Sequence, residues 1–141
     1  MQELVLTAGV QGMDGLPDLE NECARVLCTW KVQSPAFLFS LHEILINALE
    51  ITQNLSSSST LLCVRLRLTE DTLEAEIPDD GPGMPPNWRE CYLKKEMVDL
   101  LSMERGRGLL FIHELGLSLD SARDSAGKHI VILKARIQND E

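Results

Sequence analysis

The chain has 141 residues, 44% of them hydrophobic and 25% charged, with a formal net charge of −9; that is the size and balance of one globular domain, residues 1–141, with a single core. Such acidity excludes a surface built to neutralise nucleic-acid phosphates. No apolar run reaches the roughly 20 residues needed to span a bilayer, and no basic-then-apolar leader opens the chain, so a cytoplasmic protein without membrane attachment is expected.

Residues 3–8, ELVLTA, read as a short strand. The following GLPDLENECARVLCTWKV carries Leu19, Cys23, Val26, Leu27 and Trp30 at helical spacing, and Pro17 with the early acids Asp18, Glu20 and Glu22 suits a helix N-terminus. Ser34-Pro35 is a second start signal, serine as cap and proline at the first helical position. It opens the most apolar helix of the chain, AFLFSLHEILINALEITQN. Four serines at 56–59 form a flexible connector.

TLLCVRLRLTEDTLEAEI then alternates as a β-hairpin. A two-residue turn at Glu70-Asp71 sets Arg67 opposite Glu74 and Arg65 opposite Glu76, each pair worth a few tenths of a kcal/mol to ~1. A helix is expected over 88–101, a short apolar one, LLFIHEL, over 109–115 stopped by Gly116, and two closing strands, 117–121 and 129–137, joined by a turn at 124–127. The polar end, 138–141, is expected to fray. This element order predicts an α/β (α+β) two-layer sandwich, with helices on one face of a mixed, mostly antiparallel sheet.

Cys23, Cys28, Cys63 and Cys91 form no CxxC pair and sit in apolar neighbourhoods, so buried free thiols are expected. His42, His113 and His129 lack metal-ligand spacing. HEILI is not a zinc-protease HExxH, because Ile46 stands four residues after His42.

Three stretches carry chemistry. On the helix opened by Ser34, Glu43, Asn47, Glu50 and Asn54 recur with Ala36 and Ser40 as a narrow stripe, and no Lys or Arg occurs between Val32 and Val64 to solvate it. The stripe suits either the wall of a cavity or the acidic edge of a partly exposed helix. IPDDGPGMPP delivers Asp79 at a strand end beside Gly81 and Gly83: a glycine-floored pocket in which a carboxylate accepts a hydrogen bond from an exocyclic amine, or a tight acidic turn. In ERGRGLLFIHEL, Gly106 and Gly108 precede a helix whose N-terminus carries roughly half a positive charge, with Arg105 and Arg107 alongside. Phosphate binding or plain turn chemistry both fit. Neither a Walker loop nor a Rossmann fingerprint is present.

Taken in order, EILIN, DDGPG and GRG resemble the N-box and the two glycine boxes of the Bergerat-fold (GHKL) ATP-binding domains, the histidine-kinase-like ATPases. MERGRGLLFIHELG and AEIPDDGPGM are similar to the stand-alone anti-sigma-factor serine kinases. The resemblance implies ATP and Mg²⁺ as cofactors. Asp79 would recognise the adenine amine, with Gly81 and Gly83 giving the base room; Asn47 would be a Mg²⁺ ligand. Gly106 and Gly108, with Arg105 or Arg107, would hold the β- and γ-phosphates, and Glu43 would act on the attacking hydroxyl. It further implies a protein partner (a sigma factor, an anti-anti-sigma factor or a similar switch protein), no nucleic acid, and a homodimer as a family habit; the expected helix near Trp88 and Tyr92 is a candidate contact.

The chain departs from the family pattern in places. Ile51 and Thr52 stand where a histidine and a glycine usually follow the N-box. Gly127-Lys128 stands where the last strand usually begins Gly-Thr, and Pro78 removes a donor beside Asp79. Three readings follow: an ATP-dependent protein serine/threonine kinase that also binds a regulator, a degenerate ATPase fold acting only by sequestration, and a detached histidine-kinase catalytic domain.

Overall fold

A computed structural model of the chain describes residues 2–10, 15–55, 60–79, 112 and 114–137. Five strands and two helices appear in the order β1 (Gln2–Val10), α1 (Leu16–Thr29), α2 (Pro35–Leu55), β2 (Thr60–Leu68), β3 (Thr72–Asp79), β4 (Ser118–Arg123) and β5 (His129–Arg136). The strands form one sheet in the order β1-β2-β3-β5-β4. All four described pairings are antiparallel.

Both helices lie on the same face. α1 covers β1, and α2 lies across β2, β3 and β5. The reason is the alternation of the strands: Leu62, Val64 and Leu66, then Leu73, Ala75 and Ile77, then Val131, Leu133 and Ala135 are all buried, one residue in two, and turn one apolar side toward the helices. From α1 come Leu16, Leu19, Cys23 and Leu27, and from α2 come Phe37, Leu41, Ile44, Leu45 and Ala48, at helical spacing. The two-layer architecture is thus the one the patterning predicts.

Local signals behave as their chemistry requires. The Phe37 N–H donates to the Ser34 side-chain oxygen over 3.3 Å, closing the cap at the start of α2. α1 begins with Pro17 in its first turn, with Gly15 before it supplying no side-chain cap. Glu20 of α1 pairs with His42 of α2, tying the two helices together. Ile112 and Glu114 are helical. That turn stops at Gly116, whose φ is +79°, with the Leu117 N–H donating to the Ile112 carbonyl. This six-to-one bond is the glycine stop expected there.

The β2–β3 hairpin has the anticipated register, Arg67 opposite Glu74 and Arg65 opposite Glu76. The Arg67 guanidinium lies 3.0 Å from Glu74 and 3.2 Å from Glu3 across β1, forming a charge ladder on the helix-free face. The hydrogen bond that Arg67 donates to the Glu3 carboxylate, more than any other cause, raises the Arg67 pKa above its ordinary value. Among the described residues, pairing between β2 and β3 joins Arg65–Leu68 with Leu73–Glu76. Among the described residues, β3 beyond Glu76 pairs with β5 as far as Asp79. Pro78 falls in that stretch, where a missing N–H costs no described ladder bond to β2.

The cysteines are only partly as expected. Cys23, Cys28 and Cys63 are free thiols; Cys23 is buried, Cys63 half-buried and Cys28 exposed. Cys28 directly follows the buried Leu27 and so points off the stripe that begins Leu19, Cys23, Leu27. Burial first, and the nearby carboxylates Glu20 and Glu22 second, push the Cys23 thiol up to about 12. Cys91, the helix expected over 88–101 and His113 lie outside the described residues.

Candidate functional site

α2 is the element that positions the first candidate residues. Phe37, Leu41, Ile44, Leu45 and Ala48 anchor one side of it in the core. The flank beside that anchor carries Glu43 and Asn47, both half-buried, one turn apart. Their partial burial follows from geometry: at 100° per residue they lie at the border between the core stripe and the outer surface. Ser40 departs from the stripe to which the sequence assigns it. It is fully buried, its hydroxyl has no hydrogen-bond partner among the described residues, and it belongs to the rim of the core.

Asp79 is the last residue of β3 and the Cα partner of His129, the first residue of β5. Of the expected site residues, the structure describes Glu43 and Asn47 on α2 and the backbone position of Asp79 at the end of β3. Gly81, Gly83, Arg105, Gly106, Arg107 and Gly108 lie outside the described residues.

Around the strand end, the structure shows side chains that the motifs do not include. His129 is only 2% exposed, and its Nε2 lies 2.6 Å from the Ser121 hydroxyl of β4. Lys128, which follows Gly127 where the family pattern has threonine, belongs to the turn. Its N–H donates to the Asp124 carboxylate over 2.9 Å, its carbonyl accepts from the Asp124 N–H over 2.9 Å, and its side chain is exposed. Gly127 supplies the φ of +83° that this turn needs. A signal for His129 was available in the sequence: it is in phase with Val131, Leu133 and Ala135 along HIVILKAR, and Lys128 is not.

For a metal, the donor set is sparse. Among the described residues no group of three or more His, Cys, Asp or Glu could hold an ion. An isolated Asn47 fits only an ion that takes most of its oxygens from a bound phosphate and from water, which is the habit of Mg²⁺. No described helix is long and apolar enough to cross a membrane.

The family of histidine kinase-like ATPase domains matches residues 21–134. No curated protein matches the chain. Among solved structures, a chain of the SiaB-SiaC complex from Pseudomonas aeruginosa is 15% identical, with 94% of this chain and 89% of that one covered and a TM-score of 0.49.

Proposed function

The chain belongs to the family of histidine kinase-like ATPase domains, and from that premise we propose that it is an ATP-dependent protein serine/threonine kinase and anti-sigma regulatory factor, which phosphorylates or sequesters a partner switch protein. The observation that carries this reading is the flank of α2. A helix otherwise committed to the core leaves Glu43 and Asn47 half-buried side by side, above the strand that ends at Asp79. No lysine or arginine occurs in the sequence between Val32 and Val64.

In this reading Asp79 accepts a hydrogen bond from the adenine amine, and Gly81 and Gly83 leave room for the base. The Asn47 side-chain oxygen is the protein's ligand to Mg²⁺. Backbone amides around Gly106 and Gly108, with Arg105 and Arg107, cradle the β- and γ-phosphates at a helix N-terminus. Bound Mg-ATP supplies the transferable phosphoryl group and neutralises part of its own charge. Glu43, one turn from Asn47, orients the partner's serine or threonine hydroxyl and takes its proton. Phosphoryl transfer depends mainly on positioning and charge stabilisation, so losing Glu43 lowers turnover and leaves nucleotide affinity nearly intact. The partner is a sigma factor, an anti-anti-sigma factor or a similar switch protein, which the motif resemblance supports.

Calorimetric titration with Mg-ATP, beside a phosphorylation assay on candidate partners, tests the reading. Asp79→Asn is expected to abolish binding. Glu43→Ala is expected to bind normally and to lose at least about 100-fold in rate, the usual scale of general acid–base assistance. A wild-type chain that shows no affinity at millimolar nucleotide overturns the kinase reading in favour of sequestration alone. A phosphohistidine product in place of phosphoserine or phosphothreonine overturns the serine/threonine assignment.

A further inference from the structure

Among the described residues of α2, Ser40 is the one polar side chain that is fully buried, and the reading above gives it no part. It is 0% exposed, and its hydroxyl bonds to nothing among the described residues. A serine inside a helix ordinarily satisfies its hydroxyl on the carbonyl four residues back. That carbonyl belongs to Ala36, and Ser40 does not use it. Retaining an unpaired buried hydroxyl weakens a fold, and such groups recur where a side chain is kept for chemistry.

The neighbours of Glu43 on the helix surface lie three and four residues away: Phe39, Ser40, Ile46 and Asn47. Only Ser40 and Asn47 carry hydrogen-bonding side chains, and Asn47 is assigned to the metal. His42 precedes Glu43 in sequence but stands about 100° around the helix from it, where it pairs with Glu20 of α1. Side chains on a helix lean toward its N-terminus, so Glu43 leans over the turn that contains Ser40.

Resting on the kinase reading above, we propose that Ser40 is the positioning residue for Glu43. When an attacking hydroxyl engages one carboxylate oxygen of Glu43, the Ser40 hydroxyl donates to the other and fixes the side chain. The proton of the attacking hydroxyl passes to the free oxygen, and Ser40 keeps its own. A half-buried glutamate has several rotatable bonds and many orientations. One hydrogen bond from a group locked in the core removes that freedom before the reaction begins.

The test is turnover and thermal melting of the full chain, for wild type, Ser40→Ala, Ser40→Thr, Glu43→Ala and the Ser40→Ala/Glu43→Ala double variant. The turnover probe is phosphate release from Mg-ATP, with water as the attacking hydroxyl. Ser40→Ala is expected to lower kcat about tenfold with KM unchanged, the scale of one hydrogen bond to a charged group. Ser40→Thr, which keeps the hydroxyl, recovers most of the loss. In the Glu43→Ala background, removing the Ser40 hydroxyl costs nothing further. A rise in KM with kcat unchanged, or a further loss in the double variant, overturns the proposal while the nucleotide reading stands. Should threonine be too large for the buried position and prevent folding, the Glu43→Ala background decides. Melting adds a readout besides turnover. Without nucleotide, Ser40→Ala leaves Tm unchanged or raises it, because an unpaired buried donor is removed; a fall of several degrees marks a purely structural bond and overturns the proposal. With Mg²⁺ and a non-hydrolysable ATP analogue, the gain in Tm is smaller in Ser40→Ala than in wild type, and that difference vanishes in the Glu43→Ala background. If the chain releases no phosphate, this difference decides alone, its absence overturning the proposal. A wild-type chain that takes up no Mg-ATP by calorimetry removes both readings.

Discussion

Replacing Leu133 with alanine probes where the core is anchored. Leu133 is 0% exposed, its Cα partners are Ala75 on β3 and Leu119 on β4, and α2 lies across its strand. A buried leucine cut back to alanine loses the transfer free energy of its removed carbons and leaves a cavity, together about 2–5 kcal/mol. Here the surroundings are poorly able to collapse. β5 is clamped in register on both sides, and the alanine at position 75 has no reach to fill the void. The expected cost is therefore in the upper half of the range, about 3–4 kcal/mol. With a urea slope of about 2 kcal/mol per molar, the unfolding midpoint falls by roughly 1.5–2 M. Leu4→Ala is the matched control. It lies opposite Leu66 on the same face, but on the edge strand and 42% exposed, so it is expected to cost under about 1 kcal/mol. Equal losses at the two sites, or a loss below about 1.5 kcal/mol at Leu133, would refute the placement of the core beneath α2.

Four other outcomes are expected. Ser34→Ala removes the cap on α2 and lowers stability by about 1 kcal/mol, a drop in Tm of roughly 3–6 °C by calorimetry. A double-mutant cycle on Arg67 and Glu74 is expected to give a coupling of about 0.2–1 kcal/mol that shrinks in 1 M salt, since the pair is on the open face of the sheet; coupling that ignores salt contradicts that location. In a thiol-reagent assay at pH 8, Cys28 should react at once and Cys23 only on unfolding. Because the folded chain holds the Cys23 proton up to about 12 against an ordinary 9.0, the unfolded chain binds fewer protons between those values, and stability falls as pH rises through that window. A Cys23→Ala variant should lose that part of the alkaline slope.

Much of the architecture was legible without coordinates because its signals are local. Serine before proline marks the start of α2, alternation of charged and apolar residues marks β2 and β3, and glycine at positions 116 and 127 marks two stops. The hairpin register was legible for the same reason, since strands joined by a two-residue turn have few alternatives. Ser40 was misread because periodicity gives an angle around a helix and not the width of the layer covering it, and Cys28 because an apolar neighbourhood in sequence does not say which side of a helix a residue is on. Ser40, at the stripe's border, is fully buried, and Cys28, beside an apolar neighbour, is exposed. Of the candidate site, Glu43 and Asn47 are both half-buried on α2; the glycine boxes and the side chain of Asp79 lie outside what the structure describes.

By itself the sequence determined the elements, their facing sides and the family of motifs, because each depends on residues within a turn or two of one another. Only the tertiary structure decided that β5 inserts between β3 and β4, and hence which residue is the Cα partner of Asp79. Counting from Gly127 leads to Lys128, whereas strand pairing leads to His129. The difference is one residue, and in a sheet one residue is a change of face, fixed by hydrogen bonds between segments about fifty positions apart.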